Sequence, residues 1–350
     1  MNTLEKKLKV IDKKLAGLIR QHSKAVEEAY VREKKRKKNT DFQDFIMWYK
    51  HKRLSRFSHE EEKRLMAMLY TEVDSYLLRK YARTRVSFLG PLATFTHQAA
   101  KDYFGSFVEL KSEKSIADVF QEVENGKSDF GVAPVENSVE GAVSHTLDLF
   151  ISSGVNIYSE VLLPIRLDLM SNSPLGKIRT VISRGIVFGQ CRTWLKSNLP
   201  NAELVETSST AEAVKMIKNK KTCAAIGSSL CSEIYHVGVI AESIQDDTDN
   251  TTRFLIISRK KNRKAKRNKT SIVYLVKDRP GALFESLKPF KVYGVNLVKI
   301  ESRPSRMRAW EYYFFVDMEG FVTDKKVKTA LEILKKKCVF LKILGSYPVS

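Results

Sequence analysis

At Val86 the hydrophobic period of this chain changes, and that change constrains the fold more than any other feature. Before it, residues 40–85 contain neither glycine nor proline. Leu4, Leu8, Ile11, Leu15, Leu18 and Ile19 recur at three- and four-residue spacing, the period of one helical face. A second helix is predicted from Phe42 to about Leu54. A third starts near Ser58, whose hydroxyl is placed to cap it with Glu61 at the third helical position. Leu65, Met68, Leu69, Val73, Leu77 and Leu78 form its apolar face. Residues 1–85 therefore read as an all-α domain of three helices, with dimerisation an open possibility.

After Val86, short apolar runs alternate with helical patterns. Val86–Leu89 precedes a helix from about His97, and Phe130–Ala133 one from Gly141. Thr180–Ile182 precedes a helix at Gln190–Leu195, and Ala224–Ile226 another near Ser229. Strand–helix alternation of this kind means an α/β layer structure, and residues 86–258 are long enough for two lobes with a cleft between them. A basic linker at 259–270 follows. Residues 271–350 then read β-α-β-β-α-β, the ferredoxin-like α+β order, with strands at Ser271–Val276, Val295–Ile300, Glu311–Val316 and Val339–Leu344.

Composition narrows the function classes. Among 350 residues, 43% hydrophobic, no apolar stretch reaches the ~18 residues of a membrane span. The N-terminus is amphipathic, without the apolar core of a signal peptide. Cys191, Cys223, Cys231 and Cys338 are scattered, which reads as reduced thiols in a cytoplasmic protein. A net charge of +21 raises nucleic acid as a partner. The basic runs at 32–38 and 259–269, however, lack interleaved aromatics for stacking. They read as solvated loops, and no specific nucleic-acid or membrane partner is expected. The six histidines show no ligand spacing, so no metal site is read.

Several short segments carry chemistry. Asp249–Phe254 stands directly before an apolar strand. There Thr252 can donate a hydrogen bond and Arg253 can grip a carboxylate through two parallel bonds, with Phe254 as wall or core. In GPLATFTHQAA (90–100), Thr94 is placed in a pocket and Thr96 as a helix cap. Glu136-Asn137-Ser138 leaves a strand end, where ligands gather in α/β sheets; Glu136 reads as structural, Asn137 and Ser138 as polar contacts. Ser209 and Thr210 open another helix, as cap or as ligand contact. Gly281-Ala282-Leu283 opens a helix after Asp278-Arg279-Pro280, and Glu301-Ser302-Arg303-Pro304 follows a strand.

Taken in chain order these motifs resemble prephenate dehydratase followed by a regulatory ACT domain, as in the bifunctional chorismate mutase/prephenate dehydratase (P-protein) family of phenylalanine biosynthesis. The resemblance covers roughly residues 86–348. It implies a two-lobed dehydratase domain of periplasmic-binding-protein-like fold with prephenate between the lobes, and conversion of prephenate to phenylpyruvate, water and CO2 without a cofactor. It assigns the proton-donor role to Thr252, with Arg253 orienting substrate or bracing the loop. Thr94, Asn137, Ser138, Ser209, Thr210 and Phe254 are the implied prephenate-binding residues. Gly281, Ala282, Leu283, Glu301, Ser302, Arg303 and Pro304 are the implied phenylalanine site for feedback inhibition. Two positions depart from the family: Ala93 where glycine is usual, and Ser183-Arg184-Gly185 where relatives commonly carry Ser-His-Pro.

The helical head resembles the mutase half less well. Its expected arginine positions fall on Glu5 and His22, and the D-x-x-R-E motif appears as Asp41-Phe42-Gln43-Asp44-Phe45. Arg32, Asp41, Ser75 and Arg79 are the remnants the resemblance points to. A carboxylate-binding arginine replaced by Glu5 turns attraction into repulsion, so the mutase site reads as degenerate. A fully bifunctional enzyme acting on chorismate through a rearranged site (Lys9 or Arg20) is the alternative. A non-catalytic small-molecule sensor is a further one.

Overall fold

The structure, a computed structural model, describes residues 3–37, 40–277, 279–305 and 311–349. Asp278 of the Asp-Arg-Pro-Gly motif and Lys38 of the first basic run lie outside the described residues, as does the Leu4 side chain. The chain forms two compact units: Met1–Thr84 with Asp102–Glu109, and Arg85–Lys101 with Leu110–Ser350.

The first unit is built on helices α1 (Thr3–Arg36), α2 (Phe42–Leu54) and α3 (Glu60–Ala82). Asp41 accepts a bond from the Asp44 amide at 3.2 Å and so caps α2. Helix α3 is capped at His59 without a side-chain bond, not at Ser58. Phe45, Ile46, Leu77 and Leu78 are buried between α2 and α3. The predicted stripe of α1 is periodic but not core: Leu8, Ile11, Leu15 and Leu18 are exposed, as are Leu65 and Met68 of α3.

The second unit holds three sheets. The first lobe contains β1 (Arg85–Leu89), α4 (Phe95–Phe104), β2 (Glu109–Glu113), α5 (Ile116–Glu124), β3 (Phe130–Asn137), β4 (Gly141–Ala142), α6 (Ser144–Ser152) and β5 (Asn156–Pro164). The second contains β6 (Asp168–Met170), β7 (Thr180–Ser183), α7 (Gly185–Gln190), α8 (Arg192–Asn198), β8 (Glu203–Glu206), α9 (Thr210–Ile217), β9 (Cys223–Gly227), α10 (Ser229–Tyr235) and β10 (Val239–Ala241). The chain then returns to the first lobe as β11 (Thr251–Ser258), which pairs antiparallel with both β3 and β5. The sheet orders are β2-β1-β3-β11-β5 and β10-β6-β9-β7-β8. Two crossings between lobes make a cleft at the strand ends.

Residues 268–348 supply β12 (Asn268–Leu275), α11 (Ala282–Val292), β13 (Leu297–Pro304), β14 (Tyr312–Glu319), α12 (Lys325–Lys337) and β15 (Phe340–Pro348), in a sheet ordered β13-β14-β12-β15. Glu301–Pro304 therefore belongs to strand β13 instead of following it. The apolar run Ile272–Val276 is continuous because both faces of this sheet are buried. Ile272, Tyr274 and Val276 pack with α11 and α12, while Val273 and Leu275 share a core with Leu255 and Ile257 of β11. The regulatory-type sheet thus lies against the back of the strand that carries the Thr-Arg-Phe motif.

Candidate active site

A cleft of about 620 Å³ opens between the two lobes. Its wall includes Thr94, Asn137, Ser209, Thr210, Thr252 and Phe254, six of the residues singled out by sequence. Strand alternation explains the last pair: Thr252 and Phe254 share one face of β11 and Arg253 takes the other. A bulge in the β3–β11 register, where Phe254 pairs with Pro134 and Arg253 with Glu136, lets both motifs reach the cleft.

At the centre of the wall, Asn137 Nδ2 donates to Thr252 Oγ1 at 2.9 Å and to Asn250 Oδ1 at 2.7 Å. Asn137 Oδ1 accepts the Val139 and Glu140 amides, each at 2.9 Å. Ser138 is not on the cleft wall. Its hydroxyl accepts the Thr251 amide at 2.9 Å, which clasps the entry to β11.

The helix starts divide differently from the sequence expectation. Thr94, not Thr96, stands before α4, and its Oγ1 accepts the His97 amide at 3.3 Å. Thr96 is buried in the first turn of α4 and also reaches the cleft. His97 Nδ1 accepts the Ala93 amide at 3.0 Å, and burial pushes its pKa below the ordinary histidine value, with the Lys101 charge adding to the shift. Ala93 is fully buried at φ +67°, the left-handed region that costs a non-glycine residue roughly 1 kcal/mol. Ser209 caps α9 by accepting the Glu212 amide at 3.0 Å, and Thr210 is buried at its first turn.

Of the cleft residues not singled out as site residues, three matter most for the polar geometry. Asn250 is 2% exposed and lies two positions before Thr252. Gln190 at the end of α7 donates to Glu140 at 2.9 Å and so links the lobes. Arg184, visible in the sequence as a departure from the family, caps α7 and lines the cleft; it is the sole lysine or arginine among the described lining residues. The Asn250 signal was in the Asp249–Phe254 segment, whereas nothing local marks Gln190.

Arg253 corrects one of the two roles expected of it. Its guanidinium faces away from the cleft, with Nε 2.8 Å from Glu160, Nη1 2.6 Å from Asp317 and Nη2 2.9 Å from the Tyr347 hydroxyl. Burial disfavours its charge, but Tyr347, Asp317 and Glu160 reverse this and hold its pKa above the usual arginine value. Burial, reinforced by Asp317, pushes the Tyr347 phenol well above its own. Glu136 lies on this side too, 3.7 Å from Arg253 Nη1. A residue so enclosed ties β11 to the β12–β15 sheet and does not line the cleft.

In that sheet, Gly281 caps α11 at φ +77°, and a Cβ there would meet nothing within 4 Å, so the space before Ala282 and Leu283 is open. Glu301, Ser302, Arg303 and Pro304 lie on the edge strand β13. Arg303 forks onto Asp148 of α6, at 3.3 and 3.2 Å.

The residues of the helical unit that the mutase resemblance points to are engaged in different places. Ser75 is buried and accepts the Phe107 and Val108 amides, Asp41 caps α2, and Arg79 is exposed. Arg32 lines a hollow between α1 and α2 with Trp48 and Lys52. The interior is instead filled by Arg53, 2.5 Å from Asp74 and stacked over Tyr70. Burial raises the Asp74 pKa despite Arg53, and burial lowers that of His22, with Arg53 adding to the shift.

A family model described as prephenate dehydratase matches residues 86–262. The bifunctional chorismate mutase/prephenate dehydratase of Aquifex aeolicus is 44% identical over 281 residues, 80% of this chain and 78% of that one. The chain belongs to the prephenate dehydratase family. It is a lyase of phenylalanine biosynthesis, converting prephenate to phenylpyruvate. The prephenate dehydratase of Methanocaldococcus jannaschii is 38% identical over 74% of this chain and 96% of its own length. Among solved structures, the Arthrobacter aurescens prephenate dehydratase in complex with L-Phe matches with a TM-score of 0.71 and 34% identity, covering 76% of this chain and 90% of that one. Among the described residues, no helix is long and apolar enough to cross a membrane.

Proposed function

We propose that Thr252 is the hydrogen-bond donor to the departing C4 hydroxyl of prephenate. The observation that carries this is the direction of the Asn137–Thr252 bond. Thr252 Oγ1 accepts from the Asn137 amide, so its own proton points elsewhere, and Thr252 lines the cleft. As the C4–O bond breaks, the ring carboxylate leaves as CO2 and its electron pair completes the aromatic ring. One proton joins the departing oxygen as water. A threonine is a weak acid, so its contribution is a positioned hydrogen bond more than full transfer. The substrate dianion needs a cation, and with Arg253 turned away Arg184 is the residue for it. The start of α9, with Ser209 and Thr210, offers amide dipoles to a second carboxylate.

On this reading the chain divides into a helical domain at 1–85, a dehydratase domain at 86–258, a basic connection at 259–270 and an ACT domain at 271–350. Phenylalanine binds the ACT domain at Gly281–Leu283 and Glu301–Pro304 and inhibits turnover. The protein is a homodimer or a higher homo-oligomer, for which the exposed apolar stripe of α1 is the natural seam. The mutase site is degenerate, a reading supported by the Arg53–Asp74 pair in the helical interior and by the engagement of Ser75.

Thr252→Ala tests the central assignment. It should cut kcat by roughly 10²-fold while leaving intact the rise in melting temperature produced by phenylalanine. Turnover within a few-fold of the parent would remove Thr252 from the chemistry. Chorismate given to the same preparation should remain unconverted; prephenate formed at an enzymatic rate would restore the bifunctional reading.

A further inference from the structure

Asn137 was expected to touch substrate, yet its amide is saturated. A carboxamide offers two N–H donors and two acceptor lone pairs. Its oxygen already takes the Val139 and Glu140 amides, and its nitrogen serves Thr252 and Asn250. The two backbone donors also settle which end of the amide is oxygen, since the opposite orientation would set N–H against N–H. Asn250 is oriented by the same logic: it must present oxygen to the Asn137 amide.

We infer that Asn250 is a positioning residue for the dehydration, acting on Thr252 through Asn137. This rests on Thr252 being the donor to the leaving group. The Asn137 side chain can turn only if the bond from either end is broken. With Asn250 Oδ1 holding one N–H, the other is aimed at Thr252 Oγ1, and the threonine proton is thereby left for the cleft. Remove Asn250 and that amide can tilt or twist; Thr252 is then free to donate to Asn137 or to rotate away. Asn250 is suited to this task because it is itself fixed. It is 2% exposed, and its carbonyl accepts the Ile165 amide at 2.8 Å. That bond ties the entry of β11 to the segment linking the lobes. A catalytic hydroxyl misdirected by one torsion loses its alignment while substrate binding survives, so the effect belongs in kcat.

The test is a kinetic cycle on the full chain. Asn250→Ala should lower kcat by about tenfold or more with KM within about threefold. Combined with Asn137→Ala it should add almost nothing, because both changes release the same hydroxyl. Asn250→Asp keeps the acceptor oxygen and the shape. It should hold kcat near the parent and raise KM through repulsion of the dianion, and it serves as well if the alanine variant folds poorly. A parental kcat in Asn250→Ala, effects that multiply with Asn137→Ala, or an Asn250→Asp kcat as low as that of alanine would each overturn the inference. Thr252→Ala separates the two levels. If it remains active, the donor assignment falls and this inference with it. If it is inactive while Asn250→Ala is not, this inference falls alone.

Discussion

Replacing Arg253 by methionine should unfasten the β12–β15 sheet from the catalytic lobe while sparing the chemistry one residue away. The substitution nearly conserves volume but removes a guanidinium bonded to Glu160, Asp317 and Tyr347. The two carboxylates do not suffer equally. Glu160 keeps Lys269, whose Nζ lies 2.8 and 2.9 Å from its oxygens. Asp317, 7% exposed, retains the Ser271 hydroxyl at 2.5 Å and loses its guanidinium partner. Breaking one side of a buried ion pair costs about 3–5 kcal/mol, and the surviving Lys269 contact argues for the lower end, ~3 kcal/mol. For a unit of this size that is a fall in melting temperature of roughly 6–12 °C. Below the transition, kcat and KM for prephenate should stay within a few-fold of the parent. Adding Asp317→Asn should recover part of the loss, because it removes the stranded charge. A variant as stable as the parent, with KM raised tenfold or more, would refute the bracing role and return Arg253 to the substrate.

Two further outcomes follow from the same geometry. Arg184→Gln should raise KM for prephenate by about tenfold with little change in kcat, and Arg184→Lys should recover part of it, since one cation–carboxylate contact is lost from ground and transition state alike; steady-state kinetics at fixed ionic strength reads this. Arg303→Ala removes the fork onto Asp148 and should shift half-maximal inhibition by phenylalanine upward by about tenfold, with unregulated kcat retained, as inhibition curves would show.

The sequence by itself settled the order of the layers, because hydrophobic period is a local property: a period near 3.6 before Val86, alternating short runs after it, and β-α-β-β-α-β at the end. It also marked the Thr252 segment, since donor and strand stand side by side in the chain. Which way each side chain points was decided by tertiary structure. Arg253 and Thr252 are neighbours in sequence, but the pleat of β11 sends one to a buried ion cluster and the other to the cleft. Asn137 read as a substrate contact until its four hydrogen-bonding positions were counted, and two of its partners, Asn250 and Thr252, lie 113 and 115 residues away. Thr94 takes the capping role expected of Thr96 and keeps its place on the cleft wall, a shift of helix start that propensity cannot resolve. Periodicity of α1 was legible, but burial was not, because a stripe records that a face seeks an apolar partner without saying where that partner is. Local pattern fixes what an element is; the partners that saturate its polar groups and cover its apolar face are set by residues far away in the chain.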